Sequence, residues 1–260
     1  MQNTMFASNE TALEVTADTI GFELYQDTDR VVIATLHSDN SKTGDMIQIW
    51  ILAKAVKPSE ALKNGLDYLI CGDCKLRPHV TADGKTERPC YVDMRGPNSV
   101  YKAWGNGRYS VLAESDYPVV FNGRATRFGA YGDPIHIPLS MVAAIAAASD
   151  DRTGYTHQWT NPEYDGYKAF IMASVDNESE YQAAKSRGWR TFRCRTEDQP
   201  LIKGEIMCPA SEEAGKRCQC IDCTLCDGQK NDGRADITIF VHGSRKKHFK
   251  SELISIGGAN

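Results

Sequence analysis

KAFIMASVDNESEYQAAKSRGWRTFRC, residues 168–194, reads as strand, helix, strand. KAFIMASV (168–175) is a continuous apolar run, the pattern of a strand covered on both faces. Glu178 to Arg187 has helical composition and stops at Gly188, and WRTFRC (189–194) is a second strand. The stretch before it repeats the order. PVVFNGRATRFGAYGDP (118–134) holds a strand and then a glycine-punctuated segment. Pro138 to Ala148 is a helix with proline in its first turn, and GYTHQW (154–159) is a short strand. DITIFVHG (236–243) supplies the last strand. Such alternation predicts an α/β fold with a mainly parallel sheet, open or closed into a partial (β/α) barrel by right-handed crossovers.

Upstream, VVIATL (31–36) and MIQIWIL (46–52) read as strands, and a short strand is expected near Thr11 to Val15. KPSEALKNGLDYLI (57–70) reads as one helix running into Cys71, and GPNSVYKAWGNGRY (96–109) as an amphipathic helix closed by Gly105 or Gly107. At 260 residues, with neither an internal repeat nor a low-complexity tract, the chain is expected to form a single domain. Two cysteine-rich segments interrupt it, an insert at 71–95 and a C-terminal segment at 205–230.

Nine cysteines decide the functional reading. MQNTMFASNETALEV lacks a basic region followed by an apolar run, so no secretory signal is expected and a cytoplasmic location is. No apolar stretch is long enough to span a bilayer. In a reducing compartment a dense cysteine cluster reads as a ligand set rather than as disulfides. CQCIDCTLC (218–226), with Cys208 ahead of it, has C-x2-C-x2-C at its core, the spacing of cluster-binding loops. Cys208, Cys220, Cys223 and Cys226 make the neatest four, with Cys218 a spare or an alternative. ICGDC and PCYV give a second set, Cys71, Cys74 and Cys90. His79 lies between them and would complete a Cys3His zinc site; without it one position stays open on a cluster or a Lewis-acid ion. Iron–sulfur and zinc are both expected readings. Cys194, inside a predicted strand, reads as a core thiol.

Further candidates sit where strands are expected to end. Arg127, Tyr131, Asp133 and His136 lie in RFGAYGDPIHIP, which reads equally well as a tight turn. Lys42, Thr43 and Gln48 could meet an anion, His157 could face a site, and Ser174, Asp176 and Asn177 would line the same rim. A net charge of −4 argues against a general nucleic-acid coat. Basic clusters at Lys185–Arg195 and Arg245–Lys250 still allow local phosphate contacts.

ICGDC, PCYV, GPNSVYKAWGNGRY, RFGAYGDP, MCPAS and CIDCTLC together resemble bacteriophage and prophage proteins of the "gene product 88" layout. The resemblance covers most of residues 37–228 and carries over the seven cysteines Cys71, Cys74, Cys90, Cys208, Cys220, Cys223 and Cys226. It implies a place in a host cell's cytoplasm and assigns no activity. A looser similarity is to radical S-adenosylmethionine enzymes, which combine a partial barrel, a three-cysteine cluster with an open iron and often an auxiliary cluster. Their C-x3-C-x2-C loop is absent, so S-adenosylmethionine does not follow from the spacing. The resulting expectation is a [4Fe–4S] protein, possessing an open cluster and acting on a small molecule or nucleotide. The alternative is a zinc-stabilised protein that binds nucleic acid or a host protein.

Overall fold

The computed structural model describes residues 13–81, 83–215, 218–241 and 246–249. The chain begins with an antiparallel meander, β1 (Gly21–Gln26), β2 (Arg30–Thr35) and β3 (Ile47–Ala53). Two short helices follow, α1 (Pro58–Asn64) and α2 (Tyr68–Cys71), then the small hairpin β4 (His79–Val80) and β5 (Thr86–Glu87). Next come α3 (Arg95–Gly105), β6 (Ser110–Val111), α4 (Tyr117–Phe121), β7 (Ala125–Tyr131), α5 (Leu139–Ala148), β8 (Asp151–Thr153) and β9 (Tyr155–Thr156). The last part holds β10 (Met172–Val175), α6 (Glu178–Ser186), β11 (Thr191–Arg195), β12 (Glu205–Met207), α7 (Cys220–Cys223) and β13 (Asp236–Phe240).

One sheet has the order β6-β1-β2-β3-β7-β8 and a second the order β12-β13-β11-β10-β9. From β3 onward every pairing in both is parallel. Only Gly154 separates β8 from β9, so one bent segment joins the two sheets. A Cβ at Gly154 would stand 2.5 Å from the Ile171 side chain, which explains glycine at this bend. The expected unit at 168–194 is present as β10-α6-β11, whereas α5 is flanked by β7 and by β8 (Asp151–Thr153), and the expected GYTHQW strand contributes β9 to the second sheet instead.

The strands sort their side chains between two cores. Ala173 and Val175 of β10 join the main core with Phe128, Ile171 and Trp189. Met172 belongs instead to a second cluster with Ile237, Ile239, Cys208, Ala210 and Cys226, against which Tyr155, Phe192 and Cys194 pack. The period-2 alternation of a strand therefore puts the C-terminal cysteines on the sheet face opposite the main core.

Several local expectations are corrected. The apolar PVVF forms α4 rather than a strand, because Tyr117, Val120 and Phe121 bury together at helical spacing. The glycine-punctuated segment after it is itself the strand β7. Its register against β3 shifts between Gln48 and Trp50, and Gly129 sits at φ 72°, which marks a bulge. The expected 57–70 helix breaks in two at Gly65, whose φ is 79°. The 168–175 run is strand only over Met172–Val175; Lys168 and Ala169 close a 3-10 stretch that begins at Pro162. GYTHQW is strand only at Tyr155–Thr156. Residues 13–15 form no strand, and 11–12 lie outside the described residues. The strand β1, GFELYQ, went unread because its alternation is interrupted by Gly21 and Glu23, both of which are nevertheless buried.

Candidate metal centre

The C-terminal cysteines are brought together by loops from three places. Cys208 follows β12 and its amide donates to the Thr238 carbonyl on β13 at 2.8 Å. Cys220 and Cys223 form the single turn α7, which Gln219 and Asp222 close with a capping box. That turn docks on the 41–43 loop: the Cys220 amide donates to the Lys42 carbonyl at 2.9 Å and the Ile221 amide to the Thr43 carbonyl at 3.0 Å. The Cys226 carbonyl accepts from the Gly154 amide at 3.1 Å, at the bend between the sheets. Cys208, Cys220, Cys223 and Cys226 thereby line one cleft, together with Tyr155 and Phe192. Cys218 is not in its lining and hydrogen-bonds to the Cys223 thiol.

The loop is anchored at Asp227 and Gly228, immediately after Cys226. Asp227 is fully buried and receives Arg190 at 3.2 Å, Arg234 at 2.8 Å and Lys230 at 2.5 Å. Gly228 has φ 86°, and a Cβ there would lie 2.6 Å from the Phe170 nitrogen and 2.8 Å from the Ile171 nitrogen. Both the dihedral and the contact with fixed backbone oppose a side chain. Gly228→Ala is expected to lower unfolding free energy by about 2–3 kcal/mol, read from urea unfolding midpoints at unchanged m-value.

Burial pushes the Cys220 thiol up to about 11 and the Cys226 thiol well above its ordinary value. Arg127 and Lys42 pull Cys220 the other way, and the Tyr155 hydroxyl bonds to Cys226. Bare, these thiols stay protonated; a metal ion would displace the protons. Arg127 and Lys42 have no ion pair with a carboxylate among the described residues. The Arg127 guanidinium reaches the Tyr91 hydroxyl at 3.5 Å, and its Nε is buried with no partner among the described residues.

The front set forms at the end of α2. The Cys74 amide donates to the Cys71 carbonyl at 3.2 Å, and the Cys90 amide to the Leu76 carbonyl at 3.0 Å after the β4–β5 excursion. Arg77 braces the turn, bonding Asp67 at 2.7 Å and the Gly65 carbonyl at 3.1 Å. Burial raises Cys71 and Cys74, and neighbouring thiols of the set add to the rise. His79 is turned to the Arg77 carbonyl, with Nδ1 at 3.3 Å. The imidazole that does approach the set is His157, whose Nδ1 lies 3.4 Å from the Cys74 Sγ. Burial, and then Lys75, lower its pKa to about 4, so the ring is neutral. No sequence spacing links residues 74 and 157; β9 carries His157 to that position.

The other candidates divide. Tyr131 lies beside the front thiols, which together with burial raise its hydroxyl. Asp133 accepts from the His157 amide at 2.9 Å and the Ile135 amide at 3.3 Å, and burial lifts its pKa to about 6. It ties β7 to β9 beneath Cys71, whose carbonyl accepts from the Gln158 side chain at 3.2 Å. Thr43 and Gln48 are used locally, bonding the Gly44 and Met46 carbonyls. Asn177 caps α6, accepting from the Glu180 amide at 2.9 Å. Asp176 is fully buried. Cys194 is half-buried on the cysteine side of β11, not inside the main core.

His136 sits apart, toward the β1–β2 turn, where burial and then Arg30 lower its pKa to about 4. The fold prefers the neutral ring, so this stabilisation is complete above the unfolded value near 6.5 and is lost as pH falls from there toward 4. Relative to His136→Asn, the wild type should lose roughly 2 kcal/mol between pH 7 and pH 4.5. Paired urea titrations at the two pH values measure the difference.

The basic stretch at 185–195 is mostly turned inward. Lys185 pairs with Asp236, Arg187 with Asp165, Arg190 with Asp227 and Arg193 with Glu205. Arg190 and Arg193 are each 2% exposed, which removes them from any phosphate backbone. Arg245 and Lys250 lie outside the described residues. No helix among the described residues is long and apolar enough to cross a membrane. Nor are three or more His, Cys, Asp or Glu side chains, among the described residues, gathered in a group that could hold a metal ion as they stand. Compared with family models, with curated proteins and with solved structures, the chain matches none.

Proposed function

We propose that this chain is an iron–sulfur protein. Cys208, Cys220, Cys223 and Cys226 would hold one cluster, and Cys71, Cys74 and Cys90 a second with one iron open to substrate, cofactor or water. The observation that carries the reading is the cleft that four cysteine residues line together, with Lys42 and Arg127 beside it. A cluster bound by four thiolates is anionic, and two cations without carboxylate partners suit that charge. A single zinc ion needs its sulfurs about 2.3 Å from one point. A cluster carries its own bridging sulfide and spreads its ligands more widely around one cleft, the place that these four cysteines line.

The parallel pairings of β3, β7 and β8 in one sheet and of β9 to β13 in the other, with α5 and α6 in crossover positions, suit a radical-type enzyme on an open α/β arrangement. The bound clusters would supply one-electron chemistry. This chain's part is to order the front loop through Arg77 and Asp67, to hold Cys74 against neutral His157, and to keep water from Cys71 with Tyr131. The alternative zinc-stabilised nucleic-acid binder loses support from the inward ion pairs of residues 185–193.

Protein purified without oxygen should contain about eight irons and matching sulfide per chain, with absorption at about 400 nm. Zinc alone without visible absorption would overturn the reading.

A further inference from the structure

On β10 the alternation that sends Ala173 and Val175 into the main core sends Met172 into the cysteine-side cluster. Asp176, four residues after Met172 at the carboxyl end of the strand, falls on that same side. It is 0% exposed, and neither carboxylate oxygen has a hydrogen-bond partner among the described residues. A buried carboxylate left this way is costly, and native structures rarely keep one without use.

Its surroundings select a cation. Asp176 acts on the Cys194 thiol and on Lys75. Lys75 itself is held by Glu180, and Arg77 by Asp67. Just after the neighbouring β9, His157 brings a ring whose Nε2 is also buried without a partner among the described residues. Lys75 acts on Asp176 without pairing with it, and among the described residues no cation forms an ion pair with Asp176. One carboxylate and one imidazole are too few to hold a metal ion. A group with several N–H donors and a positive charge satisfies both. Small-molecule ligands of parallel α/β sheets gather where these residues are, outside the carboxyl ends of the strands.

We propose that Asp176 anchors a binding site for the amine or guanidine group of a small organic molecule, held between the front cysteines and Cys194. The inference rests on the geometry of β9 and β10 and is independent of which metal the cysteines carry.

The test uses full-length protein of measured metal content, with agmatine and 1,4-diaminobutane as probes in calorimetric titration. In parallel, the rate of Cys194 alkylation by iodoacetamide is followed by peptide mass spectrometry. At least one amine should bind and slow Cys194 alkylation about threefold or more. Asp176→Asn should weaken binding about tenfold, since it removes the charge opposite the amine. Lys75→Met, which removes the ammonium that acts on Asp176, should tighten it several-fold. Absence of binding and protection with both amines overturns the site, as does equal binding in Asp176→Asn. Should Asp176→Asn not fold, the Lys75→Met titration and Cys194 protection decide, and no change in either overturns it. Zinc-only protein that binds amine removes the cluster reading alone; iron-loaded protein that does not bind removes this inference alone.

Discussion

Asp227→Ala is expected to destabilise the protein by about 3–5 kcal/mol, the scale for removing one partner of a buried ion pair. Asp227 is fully buried and faces Arg190, which is 2% exposed. Arg190 would keep its bonds to the Gly228 carbonyl at 2.9 Å and the Ala235 carbonyl at 2.7 Å. It would lose its only carboxylate, and Arg234 and Lys230 would lose the same oxygen that both now share. Three cations would then crowd one another in a site with little water. Equilibrium unfolding in urea measures the loss. A change below about 1 kcal/mol, the range of exposed pairs, would mean that the network does not hold the cysteine loop. Because Asp227 adjoins Cys226, the variant should also lose metal from the C-terminal set while the front set keeps its own.

The second large effect concerns which sulfurs bind. Cys223→Ser should remove the C-terminal cluster, taking iron from about eight to about four per chain. Cys218→Ser should leave the iron count unchanged, because Cys218 stands outside the cleft that the other four line. Cys71→Ser should remove the front cluster in the same way. Equal iron loss in the Cys218 and Cys223 variants would sink the ligand assignment. An iron count unchanged in all three would sink the cluster reading. Anaerobic iron and sulfide analysis of the purified variants gives the answer.

Local sequence was informative wherever one chain segment contained the whole pattern. The β10-α6-β11 unit and the helix α5 were legible because apolar runs, the helix stop at Gly188 and proline starts are short-range signals. Spacing alone singles out Cys208, Cys220, Cys223 and Cys226 from Cys218, and those four line one cleft. Misreadings occurred where tertiary burial outweighed propensity. PVVF has strand composition, yet it folds as a helix because Tyr117, Val120 and Phe121 must reach the core from one face.

What the sequence by itself determined is the type of fold, a largely parallel α/β arrangement, and the identity of two sulfur-rich segments. The tertiary structure alone decided what those segments meet. It put His157 rather than His79 beside Cys74, 83 positions apart in the chain. It turned Arg190 and Arg193 inward to Asp227 and Glu205, and left Asp176 buried without a donor among the described residues. The reason is physical. Periodicity and spacing act over a few residues, whereas the partner of a buried charge or thiol is set by which strands become neighbours.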